Sequence, residues 1–252
     1  MTDAHVEAAT AALASTLGVS SLEGLTFLDV GGGSGIHSLA ARKLGAIVLA
    51  FDYDADSVAC MRSLKEKFLA NDPQWRIEQG SALDSNYLAQ LGTFDIVYSW
   101  GVLHHTGDMW KALDLVEGRV KRGGLLFLAL YNDQGMPSRI WHKVKKRYVE
   151  SGPVQKRAIV GAARGYFETL AAFSRVNHGQ GLFRHKRSDR ERGMESETDL
   201  IDWVGGYPFE VSSPEQIFNF FHSRGYRLEH LKTCGGSLGC NEFVFRSDVV
   251  VK

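Results

Sequence analysis

The sequence lacks the features of a secreted or membrane-spanning protein. Its cysteines, Cys60, Cys234 and Cys240, are too few for a disulfide framework and lack the CxxC spacing of a zinc site. No apolar run approaches membrane-spanning length, and the first residues have neither the basic end nor the long apolar run of a signal peptide. We therefore expect a cytoplasmic protein with no membrane partner.

An excess of charge of either sign is also missing. Lys plus Arg and Asp plus Glu both number 29, so the chain has no overall positive field to hold a polyanion. Two basic stretches, at 139–147 and 184–192, keep nucleic acid open as a partner, but their pattern is typical of a solvated surface. Nucleic acid is therefore an unlikely partner, and the sequence does not fix the oligomeric state.

Apolar runs alternate with helical patterns over the first half of the chain. This alternation predicts a parallel sheet that is covered on both faces. The predicted strands are 26–30, 46–51, 75–78, 94–99 and 125–130, and the predicted helices are 5–17, 36–44, 56–69 and 108–120. Gly123 and Gly124 are expected to turn the chain into the fifth strand.

The alternation stops after residue 131, where helical stretches at 140–149 and 154–173 indicate a helical cap. Ser213 and Pro214 then begin another helix, and 226–232 and 241–246 predict an antiparallel hairpin at the sheet edge. We therefore predict a doubly wound α/β fold with a mostly parallel seven-stranded sheet, helices on both faces, a C-terminal antiparallel hairpin and a cap inserted after strand five. Its parts are an N-terminal helix (1–24), a core (25–131), the cap (132–213) and the C-terminal helix and hairpin that complete the sheet (214–252).

A glycine-rich loop, Asp29-Val30-Gly31-Gly32-Gly33-Ser34-Gly35, follows the first strand and precedes a helix. Glycines allow a tight turn and a close approach to a ligand, and the helix start offers N–H groups. The dinucleotide pattern G-x-G-x-x-G needs a glycine where Ile36 or Ser38 stands, and a phosphate-binding P-loop needs a lysine, which is absent before Lys43. The spacing therefore disfavours a nicotinamide-dependent oxidoreductase and an ATP or GTP site.

The pattern D-x-G-x-G-x-G resembles the motif of class I S-adenosylmethionine-dependent methyltransferases, and the resemblance covers residues 25–131. It implies S-adenosyl-L-methionine as the cofactor. Asp52, 21 residues after Gly31, is placed to accept hydrogen bonds from both ribose hydroxyls. The residues of the loop that the resemblance assigns to the cofactor are Asp29, Gly31, Gly33, Ser34 and Gly35.

Two further segments are similar to the same family. Ser81 and Ala82 follow the third strand, where the family places a turn whose backbone N–H meets an adenine nitrogen. Either Tyr53 or Trp100 is expected to supply an aromatic face. The C-terminal part, around 202–210 and 240–245, resembles a bacterial subgroup whose cores are similar to quinone-pathway and small-molecule methylases.

Polar residues that follow strands four and five are the catalytic candidates, because ligands of open α/β sheets lie at the carboxyl ends of the strands. His104 or His105 is suited to remove a proton from a hydroxyl or amine acceptor. In an extended segment adjacent side chains point opposite ways, so we expect only one of them to reach the substrate and expect no metal site. Asn132 is predicted to hold a substrate polar group, and Tyr131 to face the sulfonium.

Substrate contacts are predicted for Asp133, which follows strand five, and for Tyr207 and Glu210. In Tyr207-Pro208-Phe209-Glu210 the proline stiffens an aromatic segment that either closes over the pocket or simply packs through Phe209.

The function that we predict is methyl transfer from S-adenosylmethionine to an O, N or C atom of a small molecule by in-line displacement. Two alternatives stay open at this point. One is an enzyme that cyclises or cleaves the cofactor and releases methylthioadenosine, and the other is a non-catalytic binding module.

Overall fold

The computed structural model describes residues 1–177, 196–235 and 239–248, and the chain forms two compact units. The larger unit comprises Met1–Gln134 and Glu210–Lys252, and the smaller comprises Gly135–Phe209. The smaller unit therefore lies within the segment for which a cap is predicted. The second basic stretch, 184–192, lies outside the described residues.

The larger unit is built on one sheet, whose strands in the described part are β1 (Thr26–Val30), β2 (Ile47–Asp52), β3 (Trp75–Gln79), β4 (Phe94–Trp100), β5 (Val120–Tyr131), β6 (Tyr226–Lys232) and β7 (Cys240–Ser247). Their order is β3-β2-β1-β4-β5-β7-β6. The first five strands pair in parallel, and β7 is antiparallel to β5 and β6. The predicted seven-stranded fold with its antiparallel hairpin is confirmed.

The helices in the described part are α1 (Asp3–Leu17), α2 (Ile36–Lys43), α3 (Ala55–Leu69), α4 (Ser85–Gln90), α5 (Met109–Glu117), α6 (Met136–Val149), α7 (Pro153–Asn177), α8 (Ser196–Gly205) and α9 (Pro214–His222). Helices α6, α7 and α8 form the smaller unit.

Both faces of the sheet are buried, as the alternation of helices and strands predicts. Residues of β1, β2, β4 and β5 contribute alternate side chains to two separate apolar clusters, because successive side chains of a strand point to opposite faces. One cluster includes Leu13, Leu39 and Met61 from α1, α2 and α3. The other includes Leu113 and Phe221 from α5 and α9. The central strands are therefore held rigidly between two helical layers.

The start of the fifth strand differs from the prediction. The predicted helix to residue 120 is wrong, since α5 ends at Glu117 and Val120 already belongs to β5. Gly123 and Gly124 lie inside β5, where its register with β4 shifts, and not in a turn before it. A Cβ on Gly124 would lie 2.8 Å from the carbonyl oxygen of Asp95, so the close approach of the two backbones accounts for glycine at this position.

Helices α4 and α8 are absent from the prediction. Helix α4 has only six residues and a single buried side chain, Leu88, so it is too short to show helical periodicity. Its start is fixed locally by Asp84, whose carboxylate accepts hydrogen bonds from the N–H groups of Asn86 and Tyr87.

Candidate active site at the carboxyl edge of the sheet

The carboxyl ends of β1 to β5 lie along one edge of the sheet because these strands are parallel. From β1 the chain proceeds outward through β2 to β3, and it then returns to β4 on the other side of β1. The direction of winding therefore reverses between β1 and β4. Connections that leave a sheet in opposite directions open a crevice, and ligands of open α/β sheets bind there. The glycine loop lies at this point.

The glycine loop is tied to the end of β2. Gly31 and Gly32 both donate their N–H groups to the carbonyl oxygen of Phe51, at 2.8 and 3.1 Å. Gly31 has a φ of 75°, and a Cβ there would lie 2.3 Å from Cγ1 of Val102, in the segment after β4. Both its conformation and its surroundings therefore require glycine.

The rest of the loop rests on α3 and opens outward. A Cβ on Gly32 would lie 2.5 Å from Sδ of Met61, and one on Gly35 would lie 3.0 Å from Cγ of the same residue. Gly33, with a φ of 52°, has nothing within 4 Å of the corresponding position, and Ser34 is exposed. The loop is thus packed on its inner side and accessible along Gly33 and Ser34.

Asp29 supports the loop from below. Its side chain is only 2% exposed, and its Oδ2 accepts a hydrogen bond of 2.6 Å from the Ser38 hydroxyl. Burial raises the pKa of Asp29 to about 6, assisted by the Asp52 charge, while hydrogen bonds from the hydroxyl and N–H of Ser38 oppose the rise. Asp29 therefore anchors the start of α2 to β1, so its predicted part in cofactor binding is to position the loop.

Asp52 connects the end of β2 to the outer part of the loop. One carboxylate oxygen accepts the N–H of Gly33 at 3.0 Å, and the other accepts the N–H of Asp54 at 3.0 Å. A carboxylate has about four acceptor positions, so two protein hydrogen bonds leave acceptor capacity for a ligand. Tyr53, the next residue, is 78% exposed. The Asp52 carboxylate is therefore fixed, and the side chain that follows it in the sequence is an exposed aromatic ring.

The turn after β3 adjoins this pair. Gly80 donates its N–H to the carbonyl oxygen of Asp52 at 2.9 Å. The Ser81 hydroxyl accepts the N–H of Leu83, and its carbonyl oxygen accepts the N–H of Asp84, which shapes a tight turn. Ser81 is half-buried and Ala82 is buried. The structure therefore brings the turn predicted to meet an adenine next to Asp52.

Trp100 and Tyr53, the two alternatives for an aromatic face, have different surroundings. Trp100, the last residue of β4, packs against the core cluster under α2 and lies with its ring centroid 6.1 Å from that of His37. Tyr53, which directly follows β2, is exposed. Tyr53 is thus the accessible ring of the two.

The histidine pair lies in a 3₁₀ turn, Leu103–His105, so the expectation of an extended segment with opposed side chains is wrong. The two rings contact each other edge to face, with centroids 4.4 Å apart. His104 is 0% exposed, and its Nδ1 accepts the N–H of Tyr131 at 3.3 Å. His105 is half-buried, and of the two histidines only His105 reaches the surface of the edge.

Tyr131 ends β5 beside this pair. Its ring centroid lies 4.0 Å from that of His104 and 5.4 Å from that of His105. Burial, with a smaller effect of the Cys240 thiol, raises the pKa of the phenol, so it stays protonated at neutral pH. The cluster of the two histidines and Tyr131 spans the ends of β4 and β5.

Asn132 is held by a partner that the sequence reasoning missed. Its Oδ1 accepts a hydrogen bond of 2.9 Å from Nδ2 of Asn241, which is 1% exposed, and the Asn241 Oδ1 accepts the N–H of Cys234. Asn132 also pairs through its backbone with Gly239 and Ser212. The sequence did contain a signal for this role of Asn241, because it is a polar residue at an inward position of the otherwise apolar strand β7. This network fixes the loops around the predicted catalytic Asn132.

The three predicted substrate residues lie in different settings. Asp133 is exposed, and its N–H donates to the Ser212 carbonyl oxygen. Glu210 donates its N–H to the His104 carbonyl oxygen, and its carboxylate accepts the N–H of Met109 at the start of α5. Glu210 therefore acts here as a helix cap that holds the histidine turn.

Tyr207 belongs to the smaller unit, where its ring lies 5.6 Å from that of His142. In the same unit Phe209 is buried, and the Lys145 ammonium lies 4.9 Å from its ring centroid. Phe209 is thus packed within the smaller unit.

Among the described residues, no group of three or more His, Cys, Asp or Glu side chains could hold a metal ion. No helix in this part of the chain is long and apolar enough to cross a membrane.

A sheet of this order, with a D-x-G-x-G-x-G loop at the reversal of winding and a carboxylate at the end of β2, defines the class I S-adenosylmethionine-dependent methyltransferase fold. Residues 28–128 match a family model described as a methyltransferase domain. Residues 28–128 are therefore similar to a methyltransferase domain, and the sheet has the fold of this class.

Curated relatives are similar to less than half of the chain. The chain is 32% identical over 112 residues to the ubiquinone biosynthesis O-methyltransferase of Brucella ovis, which covers 44% of the chain and 43% of that protein. The match to the enzyme of the same name from Rhizobium etli has the same identity and coverage. The chain thus spans less than half the length of the curated relatives that it matches.

Solved structures are similar over nearly the whole chain. The magnesium protoporphyrin IX methyltransferase of Synechocystis PCC 6803 with bound SAH has a TM-score of 0.57 at 16% identity, covering 96% of this chain and 83% of that one. The mitomycin 7-O-methyltransferase MmcR has a TM-score of 0.52 at 14% identity, covering 97% and 54%. At these identities the similarity shows the fold alone.

We expect Gly31→Ala to damage the loop more than Gly33→Ala. Both positions have positive φ, so both substitutions introduce backbone strain of about 1 kcal/mol, but only the Gly31 substitution also drives a methyl group into Val102. Thermal unfolding should show the larger fall in Tm for Gly31→Ala, with partial recovery in the double variant with Val102→Ala. Equal falls for the two glycine variants would contradict this account.

The raised pKa of Asp29 predicts a pH-dependent stability difference. The native state holds the proton more tightly than the unfolded state, so ionisation of Asp29 costs stability as the pH rises from about 4 to about 6. Asp29→Asn lacks this cost. Urea unfolding should therefore show the variant gaining about 2 kcal/mol relative to the wild type between pH 4 and pH 7. A difference that is constant with pH, or that is matched by the exposed control Asp56→Asn, would refute the assignment.

Proposed function

We propose that this protein transfers a methyl group from S-adenosylmethionine to a hydroxyl oxygen of a small molecule. The observation that carries the proposal is the fixed carboxylate of Asp52 beside the glycine loop, with the exposed ring of Tyr53 next to it. The methyltransferase family match over residues 28–128 supports the reaction class. The name of the curated relatives, ubiquinone biosynthesis O-methyltransferase, supports oxygen as the acceptor atom.

The residues present suit this cofactor. When bound, S-adenosylmethionine supplies an electrophilic methyl group on a sulfonium. Asp52 has acceptor positions left for the two ribose hydroxyls, Tyr53 offers a ring face for the adenine, and the Ser81–Ala82 turn adjoins both. Gly33 and Ser34 leave room for close approach on the open side of the loop. In this proposal Asp29 does not contact the cofactor, and its role is to hold the loop.

Alignment of the acceptor is the main task of the protein in an in-line displacement. Correct orientation of two reactants accounts for about 7 to 11 kcal/mol of a barrier, so a specialised base is secondary. The turn 103–105, Tyr131 and Asn132 are each fixed by hydrogen bonds to neighbouring strands or loops. Such fixed positions suit the orientation of an acceptor at the ends of β4 and β5.

His105 is the residue that we propose to remove the acceptor proton. Of the two histidines it is the one with access to the edge, and its ring contacts His104 and Tyr131. His104 is a positioning residue in this proposal, because it is buried and orients the turn through the Tyr131 N–H. Three cysteines are too few for a disulfide framework, which supports a cytoplasmic location for the activity.

Binding of the cofactor tests the first step. We expect isothermal titration calorimetry to detect S-adenosylmethionine binding that Asp52→Ala weakens by about 100-fold, because two hydrogen bonds to a charged acceptor are lost. Asp56→Ala, which removes an exposed carboxylate from the first turn of α3, should bind as the wild type does. Undiminished affinity of Asp52→Ala would exclude this cofactor site.

Catalytic release of methylthioadenosine without an acceptor would support cofactor cyclisation or cleavage instead. The absence of any turnover with acceptors would support a binding module.

Substitution of His105 tests the second step, once a panel of hydroxylated aromatic acceptors has given turnover to S-adenosylhomocysteine. We expect His105→Gln to lower kcat by about 100-fold or more while the S-adenosylmethionine Kd stays unchanged, since a base acts after binding. His222→Gln, an exposed histidine of α9, serves as the control. Unchanged kcat in His105→Gln would remove this residue from the reaction.

A further inference from the structure

The first basic stretch of the sequence lies on helix α6. This helix contains five Lys and Arg residues and no acidic residue in its 14 positions. Together with α7 it belongs to a segment, 136–177, that has nine Lys and Arg residues and two Glu residues, although the whole chain is balanced. The positive charge of the protein is therefore concentrated in the smaller unit.

One side of α6 is packed and fixes the orientation of the helix. Trp141, Ser138 and Lys145 are buried. The Trp141 ring stacks on Phe167 with centroids 5.5 Å apart, and the Lys145 ammonium lies 4.0 Å from the Trp203 ring centroid and donates to the Trp203 carbonyl oxygen. Helix α6 is thus attached to α7 and α8 through this side, and its opposite side faces outward.

The outward side combines cations with large apolar side chains. At 100° per residue its members occupy one arc of the helix surface, and all are exposed. Met136 is 64% exposed and Ile140 is 54% exposed. The full set, which we call the α6 face, is Met136, Arg139, Ile140, Lys143, Lys146 and Arg147.

We infer that the α6 face binds the surface of an anionic lipid bilayer. Arg139, Lys143 and Arg147 provide charge complementarity to acidic headgroups, and Lys146 adds to it although its ammonium also lies 3.9 Å from the Glu150 carboxylate. The side chains of Met136 and Ile140 lie between these cations, where they can enter the acyl boundary. The proposal adds peripheral attachment to a chain for which the sequence predicts no membrane partner. The balanced total composition conceals this local excess. The inference does not depend on the proposed reaction.

RNA is the other polyanion that a basic face attracts, but the side chains present favour a bilayer. Single-stranded nucleic acid is bound through aromatic rings that stack on bases, and the α6 face contains no aromatic residue. Its exposed apolar members are aliphatic or thioether side chains, which gain from contact with hydrocarbon and not from contact with phosphate.

Co-sedimentation with vesicles tests the inference. The full chain should bind vesicles of phosphatidylcholine with one-third phosphatidylglycerol at least about tenfold more tightly than vesicles of phosphatidylcholine alone, and high salt should weaken the binding. The double variant Lys143→Glu, Arg147→Glu should lose at least about 20-fold in affinity. Met136→Ser with Ile140→Ser keeps every charge and should lose about tenfold.

The matched control is Lys111→Glu with Arg122→Glu, which reverses two exposed cations of the larger unit and should bind within about twofold of the wild type. Thermal unfolding of each variant establishes that the α6 substitutions leave the fold intact, as exposed positions should. No preference for anionic vesicles, or an equal loss in the control, would overturn the inference. Undiminished vesicle binding by the Met136→Ser, Ile140→Ser variant would also overturn it. A third contrary result would be single-stranded RNA that binds the protein as tightly as the vesicles do and binds this variant equally well.

Discussion

The carbonyl oxygen of Phe51 accepts the N–H groups of both Gly31 and Gly32, and the next residue, Asp52, accepts the N–H of Gly33. The candidate site depends on this connection between the end of β2 and the loop after β1. Through this connection, three successive backbone amides are satisfied while the chain turns away from β1. A residue with a Cβ at position 31 would prevent this turn because Val102 occupies the space. The loop and the carboxylate are therefore positioned by the same hydrogen bonds, and neither can move without the other.

The cofactor side of the site was predictable from the sequence because its signals are local. The glycine spacing, the buried strand before it and Asp52 at the end of the next strand each follow from short-range patterns, and the sheet confirms the fold that they predict. The role of Asp29 was not predictable in the same way. Its contact with Ser38 requires a strand and a helix to pack together, and its burial appears only in the folded chain.

The catalytic side was harder to predict for a physical reason. The backbone after β4 forms a 3₁₀ turn and not an extended segment, so the two histidines lie side by side, and they differ in burial because His104 is fully enclosed. Asn241 illustrates a second difficulty, since its hydrogen bond to Asn132 joins residues 109 positions apart. In the smaller unit, Lys145 lies in a stretch typical of a solvated surface, yet it is buried among aromatic rings, and burial lowers its pKa to about 7. Charge pattern alone does not separate such a residue from its exposed neighbours.

The central claim is that the glycine loop and Asp52 form an S-adenosylmethionine site, and a crystal structure of the protein with S-adenosylhomocysteine tests it most directly. The account predicts the ribose hydroxyls within hydrogen-bonding distance of the Asp52 carboxylate, the adenine beside Tyr53 and the Ser81–Ala82 turn, and the chain from ribose to sulfur along Gly31 to Gly35. A ligand bound elsewhere on the chain, or one at the loop whose ribose makes no contact with Asp52, would contradict it.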